Sequence, residues 1–420
     1  MSKRRKIWAL IAMCMVYFFS YFHRLALPGT LFDELQADFA VSASAIAAMG
    51  AVFMYIYGAM QFFTGLLVDR YGGARILPIG GALLAFASLI FPWMHSLSWL
   101  YVMRALIGLG AGLIFISLVK ELDYMFPPQH FAMILCVCLF VGYSGGLVGT
   151  WPLAVMAGRW GWRPVMFVAG VLSVIAWLMA VILLRGRRVT RQPPRRAELR
   201  RWVRMIFRNP DTWPIMIFGT VNFGVYFLWQ TVLGKKMLTD IGGIASDRAA
   251  AVSFWMMLIC MFSTSVSGFV SRLIQNRRRP IILGCAILTM LALLLMAVAM
   301  WHSGAARWLE AALLLLGLAS SSSPIACAAI KEVNPQEVAG IAIGISNSAA
   351  YLGIAILSNL AGLIMDAFGG MPAPGGIMVY PRAAYFTVMI GCMMMAALSC
   401  RMAWKMRESR GMNVYGVPRA

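Results

Sequence analysis

The sequence contains few charged residues and very few acidic ones. Charged residues occupy 12% of its 420 positions, and only 15 residues are Asp or Glu. Soluble globular proteins carry about twice that share of charge, whereas hydrophobic residues make up 61% of this chain. A soluble domain is therefore excluded, and no sizeable domain outside a membrane fits the composition.

The residues and motifs on which most enzyme sites depend are also scarce. The chain has four histidines, and it contains no Walker loop, no dinucleotide-binding glycine motif and no HExxH zinc motif. We therefore expect no enzyme activity, no metal site and no cofactor. The eight cysteines fall within predicted membrane spans, so disulfides are not expected.

The abundant apolar residues form long blocks. Twelve helices of about 20 residues each, the length that crosses a bilayer, would need about 240 residues, which is close to the apolar supply. The strands of a β-barrel would instead alternate polar and apolar residues. The predicted spans lie near residues 7–31, 44–67, 76–95, 98–119, 131–157, 164–184, 213–233, 248–271, 280–301, 307–330, 338–365 and 383–404. The sequence thus predicts an all-α membrane protein with twelve transmembrane helices.

The basic residues are concentrated between the predicted spans. The net charge is +21, and ten arginines lie between Arg185 and Arg208. By the positive-inside rule, this loop and both termini are cytoplasmic, which predicts a multi-pass protein of the inner (plasma) membrane. We expect the basic loops to meet anionic membrane lipids rather than nucleic acid, and we expect a monomer.

Distinctive residues recur at similar offsets in the two halves of the chain. Gly65 matches Gly268 at an offset of 203, and Glu121 matches Glu332 at an offset of 211. Such a duplication is typical of secondary transporters, in which the substrate binds between the halves. It predicts two pseudo-symmetric six-helix bundles.

The expected segments can be placed along the chain. They are a first bundle at 1–184, a basic cytoplasmic linker at 185–212, a second bundle at 213–404 and a cytoplasmic tail at 405–420. Within the linker, a short basic amphipathic helix would carry Trp202, Ile206 and Phe207 on its apolar side.

Two strings resemble signatures of the major facilitator superfamily. The string GLLVDRYGGAR at residues 65–75 resembles the superfamily's loop between the second and third helices, and RALIGLGAG at residues 104–112 resembles its fourth helix. The resemblance covers essentially the whole chain, and it implies the fold of two six-helix bundles. Later strings are most similar to the organic-anion, sugar-phosphate and nitrate branches.

The resemblance also implies a conformational latch. In the superfamily, the first signature latches the two halves in the outward-open state. Gly65 is expected to let two helices approach closely, and the glycines after Arg104 are expected to do the same in the fourth helix. The residues assigned to the latch are Gly65, Asp69, Arg70, Gly72, Arg75 and Arg104.

One face of the first helix carries the strongest candidates for a substrate site. Tyr17, Tyr21 and Arg24 follow the i, i+4, i+7 spacing that places side chains on one helix face. A guanidinium suits carboxylate or phosphate oxygens because it presents a fork of donors. The alternative is that Arg24 extends to the outer membrane interface, about 10 Å away along the helix.

His23 is a candidate for proton coupling. Imidazole titrates near physiological pH, so its charge would respond to a bound anion or to the neighbouring arginine. The alternative is a packed or interfacial histidine, because adjacent residues point about 100° apart around a helix.

The seventh helix carries a polar face at a similar position in the second half. Its candidates are Asn222, Tyr226, Trp229 and Gln230, and Asn347 of the eleventh helix joins them. These side chains would complete a polar substrate pocket, or they would form hydrogen bonds between helices.

Together these features predict a secondary active transporter that moves a small organic solute, expected to be an anion, by alternating access. Because no ATP-binding segment is found, transport would draw on an ion gradient, with a proton as the expected coupling ion. Two alternatives stay open. One is a drug or siderophore exporter of the same superfamily, and the other is a membrane sensor that binds its ligand without moving it.

Overall fold

The structure is a computed structural model, and it describes residues 3–126, 128–185, 196–301, 305–335, 338–372 and 377–417. The chain divides into two compact units. The first unit covers Met1–Pro193, and the second unit covers the rest of the chain from Pro194 apart from residues 375–377.

The first unit is helical. Its α-helices are Lys3–Leu25, Phe32–Phe39, Ala43–Tyr71, Gly73–Ile90, Leu97–Met125, Pro128–Val148, Trp151–Trp160 and Trp162–Leu184, with a π-helix at Ala26–Thr30 and a 3-10 helix at Phe91–Trp93. Six stretches are long and apolar enough to cross a membrane, and we number them spans 1 to 6: Arg4–Thr30, Ala43–Val68, Gly73–Trp93, Leu97–Leu122, Val137–Trp160 and Trp162–Leu184.

The second unit has a matching set of helices. They are Arg196–Arg208, Thr212–Leu228, Gly234–Asp240, Ser246–Leu273, Arg279–Ala299, Ala305–Ala319, Ser323–Val333, Ala339–Phe368 and Arg382–Lys405, with a π-helix at Trp229–Leu233, a 3-10 helix at Ser320–Ser322 and a small antiparallel pair of strands, Met371–Pro372 and Met378–Val379. Spans 7 to 12 are Thr212–Asp240, Ser246–Leu273, Arg279–Ala299, Ala306–Val333, Ala339–Phe368 and Arg382–Lys405. The prediction of twelve transmembrane helices is confirmed.

The two units repeat one packing pattern. In the first unit, span 4 packs against spans 2 and 3, span 1 packs against spans 4, 5 and 6, and span 3 packs against span 6. In the second unit, span 10 packs against spans 8 and 9, span 7 packs against spans 10, 11 and 12, and span 9 packs against span 12. Each pairing of the first unit therefore has a counterpart six spans later, as pseudo-symmetric bundles require.

The first span of each unit is interrupted by a π-helix at the same relative place. These π-helices begin at Ala26 and at Trp229, which are 203 residues apart, the offset that also separates Gly65 from Gly268. Short π-helical segments inside longer helices are frequent at functional sites. In span 1 the backbone of Leu27 is non-helical (φ −128°, ψ 134°), immediately before Pro28, which cannot donate a backbone hydrogen bond.

Glycines bring span 4 close to its two neighbours. A Cβ atom at Gly108 would lie 2.9 Å from the carbonyl oxygen of Phe53 on span 2, and one at Gly110 would lie 2.5 Å from that of Gly80 on span 3. Side chains at these positions would force the helices apart. Gly108 and Gly110, which follow Arg104, thus let the fourth span approach its neighbours closely, as the sequence predicted.

The amphipathic helix of the linker packs on the second unit. Within the helix Arg196–Arg208, Ile206 is buried in a hydrophobic cluster of that unit and Trp202 packs against the same cluster. Phe207 is 43% exposed. Residues 186–195, which belong to the predicted linker, lie outside the described residues, so the boundaries of the linker stay predictions.

Candidate functional site

Arg104 of span 4 holds the interruption of span 1 in place. Its guanidinium donates to the carbonyl oxygens of His23 (2.8 Å) and Leu27 (3.1 Å), and its Nε lies 3.5 Å from the carbonyl oxygen of Met49 on span 2. The side chain is fully buried and lies over the ring of Phe53. A charged donor therefore satisfies carbonyl groups that the interrupted helix cannot pair by itself.

Arg104 lies far from the other residues assigned to the latch. It contacts Met49, whereas Arg70 lies 21 residues further along the same helix. At 1.5 Å per residue this is a distance of about 30 Å. The structure thus places Arg104 beside the candidate substrate residues of span 1 and apart from the signature loop.

Arg24 is fully buried and lies against two tyrosine rings. Its guanidinium carbon is 4.3 Å from the centroid of Tyr21 and 4.2 Å from that of Tyr57 on span 2. A desolvated cation–π contact contributes about 2 kcal/mol. A side chain that reached the membrane interface would be exposed, so the burial of Arg24 does not fit the interfacial alternative. Its contact with substrate stays a prediction.

The tyrosines around Arg24 form a continuous aromatic cluster. Tyr21 meets Tyr17 edge to face with ring centroids 5.3 Å apart, and it meets Tyr143 of span 5 at 4.9 Å. Tyr17 stacks on Phe115 of span 4 at 5.4 Å. The face predicted from the spacing of Tyr17, Tyr21 and Arg24 is therefore one connected group, and its members are supported by spans 2, 4 and 5.

Tyr57 is the contact of Arg24 that the sequence analysis missed. It stacks on Phe53 with ring centroids 5.9 Å apart. Phe53, Tyr57 and Gln61 repeat every four residues, and Gln61 is 3% exposed despite being polar. That spacing within a membrane span was the available signal that this face of span 2 points inward.

His23 is also fully buried, and its ring lies edge to face with that of Phe22. Neither ring nitrogen has a hydrogen-bond partner among the described residues. The main chain of His23 is the part that Arg104 contacts, since its carbonyl oxygen accepts a hydrogen bond. The role in proton coupling stays a prediction.

The polar residues of span 7 make contacts between helices of the second unit. Asn222 donates to the carbonyl oxygen of Ala319 on span 10 (3.1 Å) and accepts a hydrogen bond from Thr289 on span 9 (2.5 Å). Gln230 donates to the carbonyl oxygen of Ser253 on span 8 (2.9 Å). These bonds correspond to the alternative in which the amides join helices.

Three further candidates differ in their surroundings. The hydroxyl of Tyr226 lies 3.6 Å from the sulfur of Met257 on span 8, and Trp229 is fully buried in the π-helix. Asn347 is half-buried on span 11 and makes no hydrogen bond within the described part of the chain. Their predicted substrate contacts stay predictions.

A buried ion pair lies where the sequence analysis had ended the seventh helix. Span 7 continues to Asp240, beyond the predicted end at residue 233. Lys236 Nζ lies 2.9 Å from Asp240 Oδ1, and both side chains are at most 2% exposed. Asp240 Oδ2 also accepts hydrogen bonds from the backbone N–H of Tyr380 (3.0 Å) and the hydroxyl of Tyr385 (2.7 Å). The i, i+4 spacing of the lysine and the aspartate was the signal for this pair.

The signature loop docks on the end of span 4. Gly72 has a φ of 80°, which favours glycine, and the backbone N–H of Ala74 donates to the buried carboxylate of Glu121 (2.8 Å). A Cβ atom at Gly73 would lie 2.9 Å from Cγ of Glu121, whereas one at Gly65 would meet no described atom within 4 Å. The close approach expected at Gly65 is therefore found at Gly73.

The structure describes the side chains of two of the three charged residues in the signature loop. Arg70 and Arg75 are exposed, and the guanidinium of Arg70 lies 5.0 Å from the ring of Tyr71. The side chain of Asp69 lies outside the described part of the chain. The latch role of this loop stays a prediction.

Glu332 takes the position of Glu121 in the second unit. Its carboxylate pairs with the guanidinium of Arg278 at 2.8 Å and accepts a hydrogen bond from Ser409 at 2.5 Å. The carboxylate of Glu408 accepts hydrogen bonds from the backbone N–H groups of Arg278 (2.8 Å) and Arg279 (3.0 Å), where span 9 begins. Both units thus use a carboxylate at the end of their fourth span to hold the start of their third.

No group of three or more His, Cys, Asp or Glu side chains could hold a metal ion among the described residues. The described cysteines are free thiols. The arrangement in both units is instead that of buried cations and tyrosines inside helical bundles.

Comparisons with known proteins agree with this architecture. The family model described as Major Facilitator Superfamily matches residues 10–358. The chain therefore belongs to the major facilitator superfamily. A solved bacterial homolog of the human lysosomal transporter Spinster, in an inward-facing and unoccupied conformation, has a TM-score of 0.73 at 14% identity and covers 98% of both chains, which shows the shared fold.

Several relatives of the chain are named as transporters. It is 23% identical to the probable sulfoacetate transporter SauU of Cupriavidus necator, 22% identical to the probable anion transporter 3, chloroplastic, of Oryza sativa subsp. japonica, and 23% identical to the lysosomal dipeptide transporter MFSD1 of Homo sapiens. The matches cover 40%, 80% and 87% of this chain and 38%, 69% and 81% of those relatives. The match to SauU therefore spans well under half of that relative.

Proposed function

We propose that this chain is a secondary active transporter for a small organic anion and that Arg24 binds the anionic group. The observation that carries the proposal is the fully buried guanidinium of Arg24 among the tyrosines of span 1 and span 2. Ionisable groups inside a membrane are costly, and they are retained mainly where they have a function.

The chemistry of the cluster suits an organic anion. A guanidinium that stacks on aromatic rings donates in its own plane, so it can bind a carboxylate, sulfonate or phosphate through two parallel hydrogen bonds. The rings supply apolar surface for the organic part of the solute. The names of two relatives, a probable sulfoacetate transporter and a probable anion transporter, agree with this class of solute.

A dipeptide is a second solute that the comparisons favour. The human dipeptide transporter matches 87% of this chain, and a dipeptide has a carboxylate that would occupy Arg24 in the same way. Its ammonium group would require a second contact, which distinguishes a dipeptide from a simple organic anion.

The remaining parts of the proposal concern energy and place. We propose that a proton gradient drives transport, with His23 as the coupling group, since its buried imidazole lies next to Arg24 in span 1. We also propose the inner membrane with both termini cytoplasmic, because the basic residues of the loops follow the positive-inside rule.

The binding of solutes tests the proposal. The melting temperature of the purified protein would be measured with carboxylates, organic sulfonates, sugar phosphates, dipeptides and organic cations. We expect at least one anion to stabilise the wild type. We expect Arg24→Lys to bind that anion at least tenfold more weakly, because lysine keeps the positive charge but lacks the planar, paired donors of a guanidinium. The control is Arg248→Gln, since Arg248 is exposed on the surface of the second unit.

Two results would contradict the proposal. Stabilisation by organic cations alone, with equal affinity in Arg24→Lys and the wild type, would favour the drug or siderophore exporter. Binding of an anion without any flux would favour the membrane sensor.

A further inference from the structure

A strongly basic cavity lies on the second unit, outside the site proposed for transport. It has a volume of about 720 Å³, within the range of roughly 300–1,000 Å³ that is usual for small-molecule sites. The charged residues that line it are Arg201, Arg204, Arg208, Arg407 and Asp211. Four guanidinium groups against one carboxylate give the cavity a formal charge of +3.

Two different segments build this cavity. Arg201, Arg204 and Arg208 follow the i, i+3, i+7 spacing that places them on one face of the helix Arg196–Arg208. Arg407 comes from the segment after span 12, as does Tyr415. The segments are joined at the cavity, because Arg407 lies 3.5 Å from the carboxylate of Asp211 and donates to the carbonyl oxygen of Val417 (2.8 Å).

The three arginines of the helix have no anionic partner within the described part of the chain. Arg201, Arg204 and Arg208 are exposed, and none of them forms an ion pair with a described Asp or Glu side chain. Among the described residues that line the cavity, Asp211 alone carries a carboxylate, and it faces Arg407. The cavity therefore lacks the negative charge that its arginines could accommodate.

The cavity lies close to the ends of two membrane spans. Span 7 begins at Thr212, four residues after Arg208, and span 12 ends at Lys405, two residues before Arg407. Both walls of the cavity thus lie directly beside the ends of membrane spans.

Exposed aromatic residues lie beside the same ends of spans 7 and 12. Phe207 is 43% exposed and Trp213 is 41% exposed, and the indole N–H of Trp213 donates to the carbonyl oxygen of Phe207 (3.1 Å). Trp404, at the end of span 12, is 62% exposed. Aromatic side chains of this kind are enriched where a membrane protein meets the headgroup region.

From these observations we infer that the cavity binds the phosphate of an anionic phospholipid in the adjacent leaflet. Arginine is suited to phosphate because its donors match the phosphate oxygens in pairs. A lipid would place its phosphate among the arginines and its acyl chains beside Phe207 and Trp213. The bound lipid would thereby link the helix before span 7 to the segment after span 12.

The experiment compares lipid binding by arginine variants of the full-length protein in detergent. Affinity would be measured from the rise in melting temperature with added phosphatidylglycerol, phosphatidylcholine or soluble glycerol 3-phosphate. The variant is Arg204→Gln/Arg208→Gln. The matched control is Arg272→Gln/Arg277→Gln, which removes the same charge from exposed arginines of the second unit that do not line the cavity.

We expect phosphatidylglycerol to bind the wild type and the control alike, and to bind the variant up to about tenfold more weakly, since the variant loses charged hydrogen bonds to the phosphate that the control keeps. We expect phosphatidylcholine to bind at least tenfold more weakly than phosphatidylglycerol. Binding of phosphatidylglycerol should also weaken as the salt concentration rises. No transport substrate enters this assay, so its result is independent of the proposed transport function.

Three results would overturn the inference. The first is equal affinity for phosphatidylglycerol in the variant and the control. The second is equal affinity of the wild type for phosphatidylglycerol and phosphatidylcholine. The third is that glycerol 3-phosphate binds in place of phosphatidylglycerol and that its affinity falls in the same arginine variant. The last result would assign the cavity to a soluble phosphate compound. If Arg204→Gln/Arg208→Gln unfolds early without lipid, the single variant Arg204→Gln decides, with an expected loss of about fivefold in affinity relative to Arg272→Gln.

Discussion

Arg24 and Arg104 are both fully buried arginines of the first unit, yet their surroundings differ. Arg24 lies against the rings of Tyr21 and Tyr57, whereas Arg104 donates to main-chain carbonyl groups before and within the interruption in span 1. Arg24 is part of span 1, and Arg104 holds the backbone of span 1 in place. We therefore propose that Arg104 is a positioning residue for the proposed Arg24 site.

This difference predicts the effect of replacing Arg104. Arg104→Gln should destabilise the protein by about 2–4 kcal/mol, because it leaves buried carbonyl groups without a charged donor. It should also weaken the binding of anions, since span 1 would no longer hold Arg24 in place. Unfolding by sodium dodecyl sulfate and ligand titration measure the two effects, and Arg159→Gln is a control at an exposed arginine of the first unit. Unchanged stability in Arg104→Gln would contradict the positioning role.

At the scale of single residues, sequence spacing predicted part of the site. The face of Tyr17, Tyr21 and Arg24 follows from one helical period and is a connected group in the structure. The contact with Tyr57 comes from another helix, and its identity depends on how span 2 is rotated against span 1. Periodicity within one helix carries no information about that rotation.

At the scale of elements, span 7 shows how a charged pair extends a membrane helix. The lysines after residue 233 suggested a loop, because a single lysine inside a membrane costs several kcal/mol. Lys236 and Asp240 instead lie one turn apart and form a buried pair at 2.9 Å. Two opposite charges at i and i+4 are therefore compatible with a helix that continues.

Substitutions of Lys236 and Asp240 should have strongly non-additive effects on the stability of the protein. Asp240→Asn and Lys236→Met should each destabilise the protein by about 3–5 kcal/mol, because each removes the opposite charge that compensates a buried charged partner. The double variant Lys236→Met/Asp240→Asn should recover much of that loss. A double-mutant cycle of unfolding in sodium dodecyl sulfate measures the coupling. Additive losses would show that the two side chains contribute independently.

At the scale of the whole molecule, composition and repeats predicted the fold. Two six-helix bundles follow from the supply of apolar residues and from the offsets between the halves, and the packing of the spans repeats accordingly. The resemblance to superfamily signatures gave the class of protein. It gave no substrate, because Arg70 of the shared signature loop lies about 20 Å along span 2 from Tyr57, which contacts Arg24.

The most direct test of the central claim is uptake into proteoliposomes that contain only this protein. With an inward proton gradient, we predict that the wild type accumulates the anion that stabilises it. We also predict that a protonophore abolishes this accumulation, and that Arg24→Lys reduces the rate at least tenfold while Arg248→Gln leaves it unchanged. Accumulation that is the same in Arg24→Lys and the wild type, or no flux of a solute that binds, would contradict the account.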